Sequence, residues 1–582
     1  MKKFFLLVSL ASLFLQAQAQ TNKDISAMKT PFEKNDNYTP TYHEIIDYYK
    51  ALASTSAIIT MNEFGMTDSG FPLHEIIISS EPCIDGVEAK KNNKTVYFIN
   101  NGIHPGEPCG IDASMLFVRD LVSSNRLSDL LKDVVIVVVP VYNIGGCLNR
   151  TSTSRANQLG PEAYGFRGNA KNLDLNRDFI KCDSENALSF NQLFSKWDPD
   201  IFVDTHTSNG ADYQYTMTLI PTQKDKLEKP LSDYLTEQLL PDLYKKMDTK
   251  GYEMTPYVYA RETPDDGIMG FLDLPRYSSG YAALHNTLSF MPETHMLKPY
   301  KDRVISTYLF LESVLEHLFT NKEALHSARE KSKENTRNIR TVGINWELER
   351  DVIDTLKFKG YEAKYKPSEV SGLDRLYYDR NEPFEKEIKH FNTYKVFKEV
   401  QKPKAYIIPQ AYRKVIQRLE ANNVKIDRFE NDSILTVTAY IIKDFETTNS
   451  PYEGHYLHSN TVVEEKEIQI KVFAGDHIVY TGQDMDQYIV HTLEPQSPDS
   501  YFAWNFMDGI LMQKEHFSPY VFEDTAAKLL KENPDLKKSL EEKKQNDSDF
   551  AQNGYLQLLF IYQNSPYYEG THMRYPIFKY SE

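Results

Sequence analysis

Residues 134–141 read Val-Val-Ile-Val-Val-Val-Pro-Val. The first six are all β-branched, which favours a strand. None of them offers a polar side to water, so the strand must be covered on both faces, as in sheets that carry helices on each side. Upstream, Thr95–Asn100 (TVYFIN) is a second short apolar strand, and Ile111–Val122 between them has the apolar spacing of a helix. Downstream, Asp200–Thr205 (DIFVDT) is a third strand. Leu231–Met247, with a kink or restart at Pro241, and Lys301–Leu318 read as further helices. This alternation predicts an α/β layer fold with a mainly parallel or mixed sheet.

The character changes near Lys322. Residues 323–340 (EALHSAREKSKENTRNIR) are polar and fit a solvated helix or a linker. Beyond them Ile434–Ile442, Ile468–Tyr480 and Leu556–Tyr562 (LQLLFIY) read as short strands between turns. The expected organisation is a signal peptide over residues 1–19, a catalytic domain over 20–330 and a mostly β accessory region over 331–582. The leader rests on Lys2 and Lys3, an apolar run from Phe4 to Leu15 and the small-x-small stretch Ala17-Gln18-Ala19. It implies export to the periplasm or beyond. No later stretch is apolar enough to serve as an integral membrane segment.

Of the 582 residues, 41% are hydrophobic and 25% charged, enough for large cores and for two or three domains. Removing residues 1–19 takes away two lysines and no acids, so the formal charge goes from −16 to −18. Such a balance argues against nucleic acid or an anionic membrane surface as partner. Cys83, Cys109, Cys147 and Cys182 lack CxxC spacing, so a cysteine zinc site is not expected, while one disulfide remains open.

Chemistry-bearing residues gather at strand exits. His104-Pro105-Gly106-Glu107 follows TVYFIN on a turn, where His and Glu three apart can reach one ion. His206 ends DIFVDTH and Glu293 ends LSFMPE. Imidazole and carboxylate suit zinc, and three protein ligands with one open position is the catalytic pattern. Glu293 is the candidate general base for a water, and His295 is a rival for metal or proton work. Between them lies Phe166-Arg-Gly-Asn-Ala-Lys-Asn-Leu-Asp-Leu-Asn-Arg-Asp-Phe179, rich in groups that recognise a carboxylate. In the accessory region Glu453-Gly-His455-Tyr-Leu-His458 reads as a polar turn rather than a second metal site. Asp499-Ser500 and Trp504-Asn505 read as packing and capping residues.

Together these pieces resemble the zinc carboxypeptidases of the carboxypeptidase A family, over roughly residues 40–320. FRGNAKNLDLNRDF carries most of the likeness. The resemblance implies an α/β/α sandwich with a mixed sheet of about eight strands and one Zn2+ per chain held by His104, Glu107 and His206. It also implies Glu293 as general base and Arg167 steadying the oxyanion. Asn176 and Arg177 would anchor the substrate's free C-terminal carboxylate, and Asp174 would orient a zinc-bound histidine. Tyr277 or Tyr281, with Tyr281 slightly favoured, would cap the substrate. The expected activity is that of a metallocarboxypeptidase acting on peptides. The alternatives are a zinc amidase or endopeptidase for cell-wall peptides, and a non-catalytic binding protein on the same fold. Oligomeric state is not legible.

Overall fold

In the computed structural model, which describes residues 25–581, Val134–Val139 is a strand buried along its whole length. Its side chains alternate as the pleat requires. Val134, Ile136 and Val138 enter one hydrophobic core, and Val135, Val137 and Val139 enter a second on the other face. The proposed leader lies outside the described residues.

Nine strands make the central sheet: β1 (Ile59–Met66), β2 (Pro72–Ile78), β3 (Thr95–Asn100), β4 (Val134–Val139), β5 (Ile201–Asp204), β6 (His206–Ser208), β7 (Met217–Pro221), β8 (Met254–Pro256) and β9 (Leu288–His295). Their order is β1-β2-β4-β3-β5-β9-β7-β8, with the short β6 also paired to β9. The centre is parallel (β4, β3, β5, β9), and antiparallel pairs flank it. This is the expected mixed sheet.

Helix α1 (Cys109–Ser123) covers the first face, with Ile111, Met115, Val118 and Val122 at helical spacing in the core. Helix α2 (Glu185–Trp197) covers the second, bringing Phe190, Leu193, Phe194 and Trp197 onto Phe98 and Phe202. The predicted helix near Pro241 is interrupted by a π-helical turn at Leu235–Leu239 before Leu240–Thr249 continues it.

Two sequence expectations are corrected. The polar stretch 323–340 is not a linker: helix α3 runs from Tyr300 to Asn338, departing from helical geometry only at Asn321. Nor is it merely solvated. Arg329 is fully buried, pairing with Asp200 Oδ1 at 2.9 Å and donating to the Asn286 carbonyl at 2.9 Å. The helix therefore passes straight through the point expected to end the catalytic part. Second, LQLLFIY is not a strand: it lies in the helix Gly554–Gln563, whose N-cap Asn553 accepts the Leu556 N–H. This helix packs with Pro519–Glu532 and Pro534–Asn546 around a small core of their own.

The rest of the accessory region is β-rich, with a six-stranded sheet and a long hairpin, Asp354–Pro367 with Asp374–Phe391. It shares the second core: Tyr406, Tyr488 and Trp504 join Val96, Phe98 and Phe202 in one cluster. All four cysteines are buried and free. Among the described residues, no helix is long and apolar enough to cross a membrane.

His491 is buried in this accessory region, its ring parallel to that of Trp346. Burial, reinforced by the Lys226 charge, pushes its pKa from 6.5 down to about 3. The folded state therefore refuses a proton that the unfolded chain accepts. Stability is full above pH 6.5 and falls as pH drops below it, by about 1.4 kcal/mol per pH unit per such histidine. Asp112, pushed up to about 7 by burial, acts with the opposite sign, so the readout is a difference. Between pH 6.5 and 5, denaturant titrations of His491→Gln should show a pH slope smaller than the parent's by that amount. An unchanged slope would refute the assignment.

Candidate active site

The parallel strands β3, β5 and β9 deliver the candidate residues to one edge. Asn100 on β3 sits opposite Asp204 on β5, and its amide donates to Asp204 Oδ1 at 3.0 Å. His206 follows two residues later, in register with Glu293 on β9. After β3 the chain turns at Gly102, whose φ of +63° few side chains tolerate, and the Glu107 N–H closes a turn on the His104 carbonyl at 2.8 Å. Helix α1 then begins in tight contact with the β5–β6 link. A Cβ on Gly110 would lie 2.0 Å from Thr205 Oγ1, so only glycine lets α1 sit this close.

His104, Glu107 and His206 form the one group of three potential metal ligands found among the described residues, their donor atoms within 4.8 Å of one another. His104 Nε2 bonds Asp174 Oδ1 at 2.8 Å, and His206 Nε2 bonds Asp204 Oδ2 at 3.0 Å. Each ring is thus gripped by a carboxylate through Nε2, leaving Nδ1 to face Glu107, at 3.4 Å from His104 and 3.3 Å from His206. His104 Nδ1 is buried with no hydrogen-bond partner. A buried, unsatisfied imidazole nitrogen beside a carboxylate, with the other nitrogen held by an acid, is the donor set a zinc ion needs. The residues fit the metal.

Charge tuning is strong here. Burial acts to raise the Glu107 carboxyl, but Arg155 and His104 more than reverse it and hold it well below the usual carboxylate range. Asp174 is likewise lowered against its burial, chiefly by His104 and then Arg167. Glu293 goes the other way: burial pushes it up to about 7, opposed by His206 and assisted by the Glu107 charge.

His104, Glu107, His206 and Glu293 line a cavity of about 510 Å³, together with Arg155, Arg167, Asn176, Arg177 and Tyr277. Arg167 Nε donates to Asp174 Oδ2 at 2.9 Å, and its side chain stays 45% exposed, free to meet a ligand. Arg177 lies over the Tyr277 ring, 4.6 Å from its centroid. Asn176 lines the cavity, and its Oδ1 accepts the Ser278 N–H at 3.0 Å, tying the Tyr277 loop down.

Tyr281 does not belong to this site. It is fully buried in the second core against Phe179 and Phe194, and its hydroxyl donates to Asn422 Oδ1 at 2.6 Å. Tyr277 precedes the helix Ser278–Ala283 in extended backbone and so projects into the cavity. His295 also falls away as a candidate. It is buried, with Nε2 on the Ala211 carbonyl at 3.0 Å, and burial followed by the Lys298 charge lowers it to about 4.

Two participants had no place in the sequence reasoning. Arg155 donates to Glu107 Oε1 at 2.6 Å and to the Thr207 carbonyl at 2.8 Å, from a loop with no periodicity to betray it. Asp204 was legible in principle: two residues before His206 on one line of strand, it shares that residue's side of the sheet.

The accessory region reaches the same site. Glu453, at φ +50°, sits in the tight turn Tyr452–His455 and accepts the Asp174 N–H at 2.8 Å. His455 Nε2 pairs with Asp183 Oδ2 at 2.6 Å. Glu453-Gly-His455 is the polar turn expected, and it braces the arginine-rich segment from behind. Asp499 accepts the Arg276 N–H and pairs with its Nε, both at 2.9 Å, while Trp504 Nε1 donates to Asp499 Oδ1 at 3.1 Å. Arg276 adjoins Tyr277, so this buried pair fixes the loop that carries Tyr277.

The family model for zinc carboxypeptidases matches residues 45–217, a span that holds His104, Glu107, Arg167, Arg177 and His206 but ends before Glu293. The chain is 23% identical to carboxypeptidase 2 of Trichophyton rubrum over 80% of its own length and 84% of that protein's. It is 25% identical to carboxypeptidase O of Bos taurus over 29% of its length and 44% of that protein's. A metallo-carboxypeptidase structure from Pseudomonas aeruginosa aligns over 49% of this chain and 69% of the other, at 15% identity and a TM-score of 0.37.

Proposed function

From the premise that residues 45–217 match the family model for zinc carboxypeptidases, we propose that this chain is an exported zinc metallocarboxypeptidase. It hydrolyses the last peptide bond of peptides that carry a free C-terminal carboxylate. The observation that carries this reading is one cavity holding two inward-facing imidazole nitrogens, two carboxylates and three arginines. Export rests on the basic, apolar and small-residue pattern of residues 1–19.

A zinc ion held by His104, Glu107 and His206 would supply Lewis acidity, polarising the scissile carbonyl and making water a better proton donor. The chain's own groups do the rest. Arg177, kept in place by the Tyr277 ring, offers its fork to the terminal carboxylate, and Asn176 holds the loop around it. Arg167, oriented by Asp174, faces the carbonyl oxygen as negative charge builds there. Glu293 takes a proton from the attacking water and returns it to the leaving amine. Its raised pKa suits it to both halves of that transfer near neutral pH.

The test compares one peptide with free and amidated C-termini. The parent should cleave the free form, and a chelator should stop it. Arg177→Ala should lower kcat/KM on the free form roughly ten- to hundredfold, the worth of about 1.5–3 kcal/mol of charged hydrogen bonding. It should change little on the amidated form. If the parent cleaves both forms equally well, the carboxypeptidase reading is wrong. Preference for a peptidoglycan fragment would instead transfer the chemistry to cell-wall peptides.

A further inference from the structure

A second cavity, of about 530 Å³, lies at the opposite edge of the sheet. Lys90 and Asp198, which line it, precede β3 and β5, whereas the metal-site histidines follow those strands. Its walls come from three places: the catalytic part, the end of helix α3, and the accessory loops at 422–425 and 482–485. None of the residues lining it lines the active-site cavity.

Its charge is opposite to that of the molecule. The chain carries a formal −16, yet with Lys196 paired to Glu75 the cavity still presents Lys90, Lys333, Arg337 and Lys425 against two carboxylates, Asp198 and Asp484. Asp198 is already shared by Arg329, Lys333 and Lys90, and Asp484 by Arg337 and Lys333. The local carboxylates therefore leave positive charge over. Burial, and after it the Arg329 charge, lowers the Lys90 ammonium to about 8.

A cavity lined by surplus ammonium and guanidinium groups matches a compact anion with several acceptor oxygens.

We propose that this cavity is a binding site for a small molecule bearing a tetrahedral dianion, a phosphate or a sulfate. Lys333 and Lys90 contact the anion, and Arg337 and Lys425 guard the mouth. The volume leaves room for an attached sugar-sized group, so a monoester and the free ion are the two sources to separate.

The test uses the full zinc-loaded chain and isothermal titration with inorganic phosphate, inorganic sulfate and glucose 6-phosphate, at constant ionic strength set with chloride. Saturable one-to-one binding is expected. Arg337→Gln with Lys425→Gln, two changes at the cavity mouth, should weaken it at least tenfold while peptide hydrolysis stays unchanged, which shows that the variant is folded. Arg177→Ala, in the active-site cavity, should leave the affinity as it is. Tighter binding of glucose 6-phosphate would identify a monoester as occupant; equal affinities would identify the free ion. The proposal fails if no anion gives saturable heat. It fails too if the double variant binds like the parent, or if Arg177→Ala removes the binding.

Discussion

Glu293→Gln abolishes hydrolysis and leaves zinc in place: that is the expected result for a residue beside the metal donors but not among them. Glu293 stands in register with His206 on the neighbouring strand, yet the ligand cluster is His104, Glu107 and His206. The amide keeps the shape and loses the proton acceptor. General acid–base groups contribute about 10²–10⁴-fold, so activity should fall by that factor. His206→Ala should behave differently, because it removes one of three donors and the Asp204 brace becomes useless. There metal and activity should disappear together. Peptide assays paired with metal analysis of the dialysed proteins separate the two. A Glu293→Gln enzyme above about a hundredth of parental activity would end the general-base assignment.

A chain ending at residue 330 should not fold. The sequence alone makes 20–330 look like a separable catalytic unit, but the second core is built from both sides of that point. Tyr406, Tyr488 and Trp504 bury themselves with Phe98 and Phe202, and each large apolar side chain buried is worth about 1.5–3 kcal/mol. Domains are stable by only about 5–15 kcal/mol in total. Losing these three and uncovering their partners removes a comparable amount. The cut also truncates helix α3 just past Arg329, whose buried pairs need the helix intact. Circular dichroism and limited proteolysis of residues 25–330 should show no cooperative unfolding transition. A folded, active fragment would overturn the claim of a shared core.

Much of the fold was legible because sheet burial writes itself into composition. Val134–Val139 could only be a strand covered on both faces, and the two cores divide its side chains alternately. The candidate metal donors were legible because they follow apolar strands, His104 and Glu107 on the turn after Thr95–Asn100 and His206 just past Ile201–Asp204. What failed, failed for local reasons. The run 556–562, apolar but for Gln557, carries no period that separates strand from helix, and the deciding Asn553 cap lies outside it. Residues 323–340 look solvated because their burial is ionic: Arg329 is hidden by Asp198 and Asp200, which no hydrophobic pattern reports. Tyr277 and Tyr281 differ in backbone state, extended against helical, and spacing cannot see that. Arg155 sits in a loop whose direction only the folded chain sets.

The turn at Glu453 and the Asp499–Arg276 pair have a consequence for the order in which the molecule comes into being. The proposed metal donors all lie within residues 104–206 and the proposed base is Glu293. Asp174 gains its further contact to Glu453, and the tyrosine loop its second anchor at Asp499, only later in the chain. The accessory region thus completes the support of a site whose candidate residues all precede it in the chain.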